Sequence, residues 1–217
     1  MANITRTVSS STDDCRKYYT TTTAFSITLS VRVGHVNPTY KNFENGLRFE
    51  NIAIAKDTVI TGAKLILTAS ANLSTNNVNT RIYGQASDDP ITFSDITDFS
   101  ARSLTTAYVS WNSISSWSLD NEYDSPDIKT IIQEIVNRDG WTSGNDIVIM
   151  WKNYGTDSSS GVYRDAYSYD TGAEKAPQLY IEYESEAVGW SHKLYGVTPS
   201  KINGIATTNI SKVNSIS

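Results

Sequence analysis

The sequence predicts an all-β protein, a jelly-roll β-sandwich carrying one amphipathic helix and an extended C-terminal tail, on three observations. Apolar and polar residues alternate with period two along most of the chain, the mark of strands with one buried face. The strand-like runs are short, eight or nine in number, and separated by turn-rich gaps, as a sandwich requires. A single segment, 125–138, carries instead the period of a helix with one apolar face.

Residues 4–9 form a candidate strand at the N-terminal edge. The Ser/Thr-rich stretch 9–23 reads either as a long loop or as an edge strand of β-branched threonines, and both readings stay open. Phe25, Ile27, Leu29, Val31 and Val33 alternate with Ser26, Thr28, Ser30 and Arg32, which predicts one half-buried strand over 25–33. In 47–54, Leu47 and Phe49 fall on one face and Arg48 and Glu50 on the other, with a change of phase near Asn51 and Ile52. Turn chemistry at 57–62 precedes a strand at 64–70, and further strands are expected at 79–86, 105–111, 146–151, 163–169 and 178–184. The helix opens with Ser125 as a hydroxyl N-cap, Pro126 at the first helical position and Asp127 where the helix dipole favours an acid. Ile128, Ile131, Ile132, Ile135 and Val136 share one stripe for the core, Lys129, Glu134 and Arg138 face water, and Asp139-Gly140 closes the helix.

Composition narrows the function classes. The formal charge is −5, from 18 basic and 23 acidic residues with no basic run, so nucleic acid is not an expected partner. No segment approaches the roughly 18 continuous apolar residues of a membrane span, and membrane insertion is not expected. The first residues lack the basic and apolar regions of a secretory signal, so export would need a trimmed signal or release by lysis. Cys15 has no partner for an intrachain disulfide and reads as a small residue at a strand edge. The two histidines, His35 and His192, are far apart in sequence, and no Ser/His/Asp triad, Cys/His dyad or zinc site is expected from them. Glycoside hydrolysis needs two carboxylates at a fixed separation, and nothing singles out such a pair. No catalytic residue is assigned, and the chain reads as a non-enzyme.

Oxygen-rich loops are the one place for a metal. Asp88, Asp89, Asp95 and Asp98 lie in one loop-rich stretch and Asp13 and Asp14 in another, as turn and cap residues or as calcium ligands. Their spacing matches no calcium loop, so the turn reading leads and no cofactor is expected. Thirteen tyrosines and five tryptophans exceed what a small sandwich core needs. Trp111, Trp141 and Trp151 are expected in the core. Trp117, Tyr123, Tyr154, Tyr163, Tyr167 and Tyr169 lie in or beside Ser/Gly/Asp-rich loops. Of these, Trp117, Tyr154, Tyr163 and Tyr167 are the candidates for binding a glycan or a partner through exposed rings, with 154–163 as a flexible tip.

The tail, 196–217, uses one small apolar motif twice and begins it a third time: Lys201-Ile202-Asn203 is answered by Lys212-Val213-Asn214, and Val197 and Ile202 by Ile205 and Ile210. Isolated Val and Ile in a Ser/Thr/Asn background cannot bury a core of their own. Val197, Ile202, Ile205, Ile210, Val213 and Ile216 are therefore the expected assembly contacts. The chain divides into a sandwich, 1–184, and a linker and repeat tail, 185–217, whose Trp190 and Tyr195 are bulky anchors.

A resemblance rests on particular stretches: Gly46-Leu-Arg-Phe-Glu-Asn-Ile-Ala-Ile54, Ile82-Tyr-Gly-Gln-Ala-Ser-Asp-Asp89, Val109-Ser-Trp111, the helix 125–138 with Asp139-Gly140-Trp141, Ser143-Gly-Asn-Asp-Ile147 and Ala176-Pro-Gln-Leu-Tyr-Ile-Glu-Tyr183. Over 13–183 this series resembles a jelly-roll domain of bacterial surface proteins and phage structural proteins, similar in outline to the carbohydrate-binding-module-like DNRLRE jelly rolls. The Lys-Ile-Asn-Gly-Ile205 tail separately resembles short C-terminal repeats of phage tail, fibre and head-surface proteins. The resemblance implies a structural or decoration module on a virion surface, partnered by other virion proteins or copies of itself, with a host surface glycan as a further partner. It brings no catalytic motif. The rival is a secreted bacterial carbohydrate-binding module whose exposed aromatics carry the function, and a third reading is a polysaccharide-degrading enzyme.

Overall fold

The alternating runs become twelve strands in two sheets that share one apolar core. The computed structural model describes residues 1–73, 78–155, 161–185, 201–202 and 205–206. The strands are β1 (Ala2–Thr7), β2 (Asp14–Tyr19), β3 (Thr23–Ser26), β4 (Val31–His35), β5 (Lys41–Phe49), β6 (Ile60–Thr68), β7 (Val78–Gln85), β8 (Leu104–Ile114), β9 (Glu122–Asp124), β10 (Ile147–Asn153), β11 (Val162–Ala166) and β12 (Gln178–Tyr183). Three helices join them: α1 (Ile96–Ala101), α2 (Lys129–Val136) and α3 (Tyr169–Gly172). The smaller sheet runs β1-β12-β6-β9, and the larger runs β11-β4-β5-β10-β7-β8 with β2 and β3 attached through β5. The protein is an all-β sandwich, as the alternation predicts, with two short helices besides the expected one.

The core forms because each sheet turns its apolar residues inward. Leu65 and Leu67 of β6 and Leu179 and Ile181 of β12 meet Val33, Leu47, Phe49, Ile82 and Ile149 of the larger sheet, all fully buried. Helix α2 closes one end. Ile131, Ile132, Ile135 and Val136 are buried there, and the helix packs on β6, β7 and β8. Gly84 permits this approach, because a Cβ there would come within 2.7 Å of Ile135 Cδ1 and 2.9 Å of Ile131 Cγ2. Glu134, on the same helix, reaches the edge of β8. Its carboxylate accepts the N–H groups of Thr106 (2.8 Å) and Ala107 (2.7 Å), satisfying donors that an edge strand leaves open.

Several sequence expectations need correction. The helix starts at Lys129, not at 125. Ser125 Oγ accepts the Leu65 N–H and donates to the Pro126 carbonyl, while Asp127 Oδ1 accepts the N–H groups of Ala63 and Lys129. Both residues are committed to tying 125–128 against β6, and the helix opens at Ile128 without a side-chain cap. The strand expected over 25–33 is two, β3 and β4. Between them the Thr28 N–H bonds to Ser26 Oγ, a local alternative to a ladder, and Leu29 is left 39% exposed. The phase change near Asn51 is a strand end: β5 stops at Phe49, Asn51 takes φ 56°, and Ile52 and Ile54 enter the core outside any strand. Residues 9–23 contain β2, which pairs with both β3 and β5, and Cys15, near the start of that strand, is buried opposite Gly46 of β5.

A second apolar cluster lies on the outer side of the larger sheet. The segment 86–103, with α1 capped by Asp95, folds over that face and presses Phe93 and Phe99 against Cys15, Val148 and Met150. Gly46 sits beneath Phe93, whose ring edge occupies the space that a Cβ at Gly46 would need.

Candidate functional site

The aromatic residues that loops were expected to display divide into one buried stack and three separate surface positions. Trp117 is in the stack. It is 2% exposed, lies face to face with Tyr123 at 4.8 Å, and neighbours Trp151 and Trp111 at 6.2 Å each. The expectation of an exposed Trp117 ring is therefore corrected. A backbone bridge to Leu73 draws its segment under the end of the sandwich, where the indole completes the core. Trp111, Trp141 and Trp151 are core residues, and the buried indole N–H groups of the last two donate to the Ile54 carbonyl and to Thr80 Oγ1.

The rim tyrosines do not converge. Tyr163 is half-buried beneath the Arg32 guanidinium, 4.9 Å from its ring centre, and Arg32 is paired with Asp165. Tyr167 donates to Asp120 Oδ1 at 3.0 Å and carries Lys175 over its ring, so it belongs to a surface ion pair. Tyr169 is half-buried against the core. Tyr154 is 51% exposed and lies against Arg81, whose guanidinium carbon is 3.4 Å from the Tyr154 ring centre and 4.3 Å from that of Tyr108, itself 46% exposed. Tyr83 stands 5.4 Å from Tyr108. Arg81, Tyr83 and Tyr108 were not singled out by the sequence, because only strand register brings β7, β8 and the end of β10 together.

The outer face of the smaller sheet holds a shallow groove of about 280 Å³ lined by Lys64, Asp124, Asp127, Tyr180 and Glu182. Its groups answer one another: Lys64 pairs with Asp124 at 2.6 Å and lies over the Tyr180 ring, and the Tyr180 hydroxyl donates to Glu182.

The loop carboxylates are taken up by protein donors. Asp88 accepts from Arg138 Nε, Asp89 from the Asp146 N–H, Asp95 from two N–H groups of α1, and Asp98 from Arg102. Asp13 pairs with Arg48, and Asp14 accepts the Tyr169 N–H at 2.7 Å. Among the described residues no three His, Cys, Asp or Glu side chains come together as a metal-binding group. Asp14 is 1% exposed with one carboxylate oxygen unpartnered. Burial pushes its pKa up to about 7, the Tyr169 N–H works the other way, and the charges of Asp170 and Asp13 add to the rise. Burial likewise holds the Cys15 thiol well above its usual range, the opposite of a nucleophilic cysteine. His35 is buried in β4.

In the tail, β13 (Lys201–Ile202) and β14 (Ile205–Ala206) pair antiparallel, with Lys201 opposite Ala206 and Ile202 opposite Ile205, apart from both large sheets. The expected extended tail thus doubles back at this point. Asn203-Gly204, between them, is the dipeptide most favoured in two-residue hairpin connections, a signal present in the sequence. Val197, Ile210, Val213 and Ile216 lie outside the described residues, as do Trp190, His192 and Tyr195. No protein-family model matches the chain, and no curated protein matches it.

Proposed function

We propose that the chain is a non-enzymatic structural protein of a phage virion, displayed on head or tail as a decoration, fibre or adhesion module and anchored through its C-terminal tail. The tail carries this reading. The last strand described in either large sheet, β12, ends at Tyr183 and is already paired on both sides by β1 and β6. Beyond it the chain carries a repeated apolar motif whose Ile202 and Ile205 pair in a hairpin outside either sheet. Such a segment gains stability by packing on, or adding strands to, a neighbouring subunit. The partners are other virion proteins or copies of this chain, and the location is the virion surface. Two perturbed groups that would otherwise suggest chemistry, Asp14 and Cys15, are sealed in the fold, which supports a structural reading.

Removing 196–217 tests this. The full chain is expected to sediment as an oligomer or with virion particles, and the truncated chain to keep its melting transition but remain monomeric and unattached. A truncated chain that assembles like the full one removes the reading. The exposed rings of Tyr108 and Tyr154 favour a second reading, a secreted bacterial carbohydrate-binding module at the cell surface. For that reading the truncated chain retains binding on a glycan array, and a blank array counts against it.

A further inference from the structure

Among the described residues, the Arg81 position differs from the other ring–cation contacts in having neither an ion-paired acid nor a segment folded over it. Its guanidinium lies between two tyrosine rings that are each about half exposed. Among the described residues its one hydrogen bond is a long one, 3.5 Å from Nη1 to the Tyr83 hydroxyl, and Nε, shielded from solvent, meets no acceptor. A guanidinium carries five N–H donors in a planar fork, and here two rings hold the fork in place before any ligand arrives.

Strand register extends the positive charge beyond this residue. Across the outer face of the larger sheet, Ser110 of β8 lies opposite Arg81 of β7, Arg81 opposite Lys152 of β10, Lys152 opposite Glu44 of β5, and Glu44 opposite Lys17 of β2. Both lysines pair with the same oxygen, Glu44 Oε2, at 3.3 and 3.5 Å. Among the described residues this row thus holds three cations, Arg81 and the two lysines, to one carboxylate, an excess of two positive charges on a chain whose net charge is −5. Arg81 and Lys17 are three strand spacings apart, about 14 Å.

We propose that Arg81, held between Tyr108 and Tyr154 with Lys152 on the neighbouring strand and Lys17 two strands beyond, is a binding site for a carboxylate-bearing saccharide, a uronate or sialate segment of an acidic glycan. The guanidinium fork pairs a planar carboxylate in two-pronged geometry. The tyrosine rings offer flat apolar faces to the sugar rings on either side of it. The two lysines receive the next acidic units along the row. A single-stranded nucleic acid suits the site less well, because its affinity comes from many phosphate contacts along a positive groove, and the rest of this chain is acidic. The position also suits display. Tyr154 bonds to the Asn79 carbonyl at the start of β7, whereas α2 packs at Gly84 near its other end. The end of β12 lies on the α2 side, where the Glu184 N–H bonds to Val59 and the Ile60 N–H to Gln133 of α2. The site stands independently of whether the tail anchors the chain.

Titration calorimetry with the full chain tests the proposal, using hexamers of galacturonate, of hyaluronan and of α2,8-linked sialate, with cellohexaose as the neutral sugar and a twelve-nucleotide oligothymidylate as the nucleic acid. At least one acidic hexamer is expected to bind, more weakly as salt rises, with cellohexaose far weaker. Arg81→Gln should reduce that affinity about tenfold or more. Tyr154→Ala, a surface change that keeps the fold, should reduce it severalfold. Lys64→Ala, on the other sheet, should leave it unchanged. The proposal is overturned if none of the three acidic hexamers binds at millimolar concentration, if the Tyr154→Ala and folded Arg81→Gln proteins bind as the parent does, or if the oligothymidylate binds more tightly than every saccharide.

Discussion

The two sheets present opposite kinds of outer face. On the smaller sheet, Asn3, Thr5 and Thr7 of β1 are exposed, and the groove beside them is filled with self-paired polar groups. On the larger sheet, the corresponding surface is a second core beneath Phe93 and Phe99, bordered by a row of cations. The smaller sheet is thus a two-layer structure of sheet and water, and β10 in the larger one is buried on both faces. A sheet with both faces covered needs apolar residues at consecutive positions, and Ile147-Val148-Ile149-Met150-Trp151 supplies them.

Four substitutions probe this contrast. Phe93→Ala removes the centre of the outer layer and should cost about 3–5 kcal/mol in urea unfolding, as for a core phenylalanine. A cost below about 1 kcal/mol would mean that the outer layer is only draped on the sheet. The larger sheet also contains a group that links the stability of the fold to pH. Asp14 ionises near 3.8 in an unfolded chain and near 7 in the folded one. Between those values the native state holds an extra proton, so its stability falls as pH rises through that window, by about 1.4 kcal/mol per pH unit at the steepest. Asp14→Asn should match the parent near the acid end of the window, exceed it in melting temperature above the alkaline end, and lose that part of the slope. An unchanged slope would place the titration elsewhere. Gly46→Ala forces a methyl into the Phe93 ring and should cost about 1–3 kcal/mol, partly recovered when Phe93 is replaced by Leu in the same chain. Thr5→Val, on the solvated face, should change stability by less than about 0.5 kcal/mol, and a larger loss would show that this face is covered in solution.

Legibility in the sequence depended on how local the determining interactions were. The isoleucine stripe of α2 and the alternation in β7 and β12 were readable because each pattern is complete within one segment. The start of α2 was misplaced because Ser125 and Asp127 bond to β6, some sixty residues away. The strand β2 was hidden in a Ser/Thr-rich stretch whose identity depends on two partner strands. Trp117 looked like a loop residue because nothing in its neighbourhood announces the bridge to Leu73. The Arg81 position draws its residues from β7, β8 and the end of β10, so no window of sequence contains it.

The place of β12 decides how the domain bears a mechanical load. Any pull applied through the tail enters the sandwich at Tyr183, on a strand clasped by β1 on one flank and β6 on the other. Tension directed along β12 must shear two ladders at once, whereas an edge strand such as β9 could be peeled off one bond at a time. Ala2 lies directly opposite Tyr183, so the bonds nearest the point of loading include those to the N-terminal strand. The force at which the domain gives way should therefore depend on β1, and trimming those first residues should weaken a pulled molecule more than a resting one.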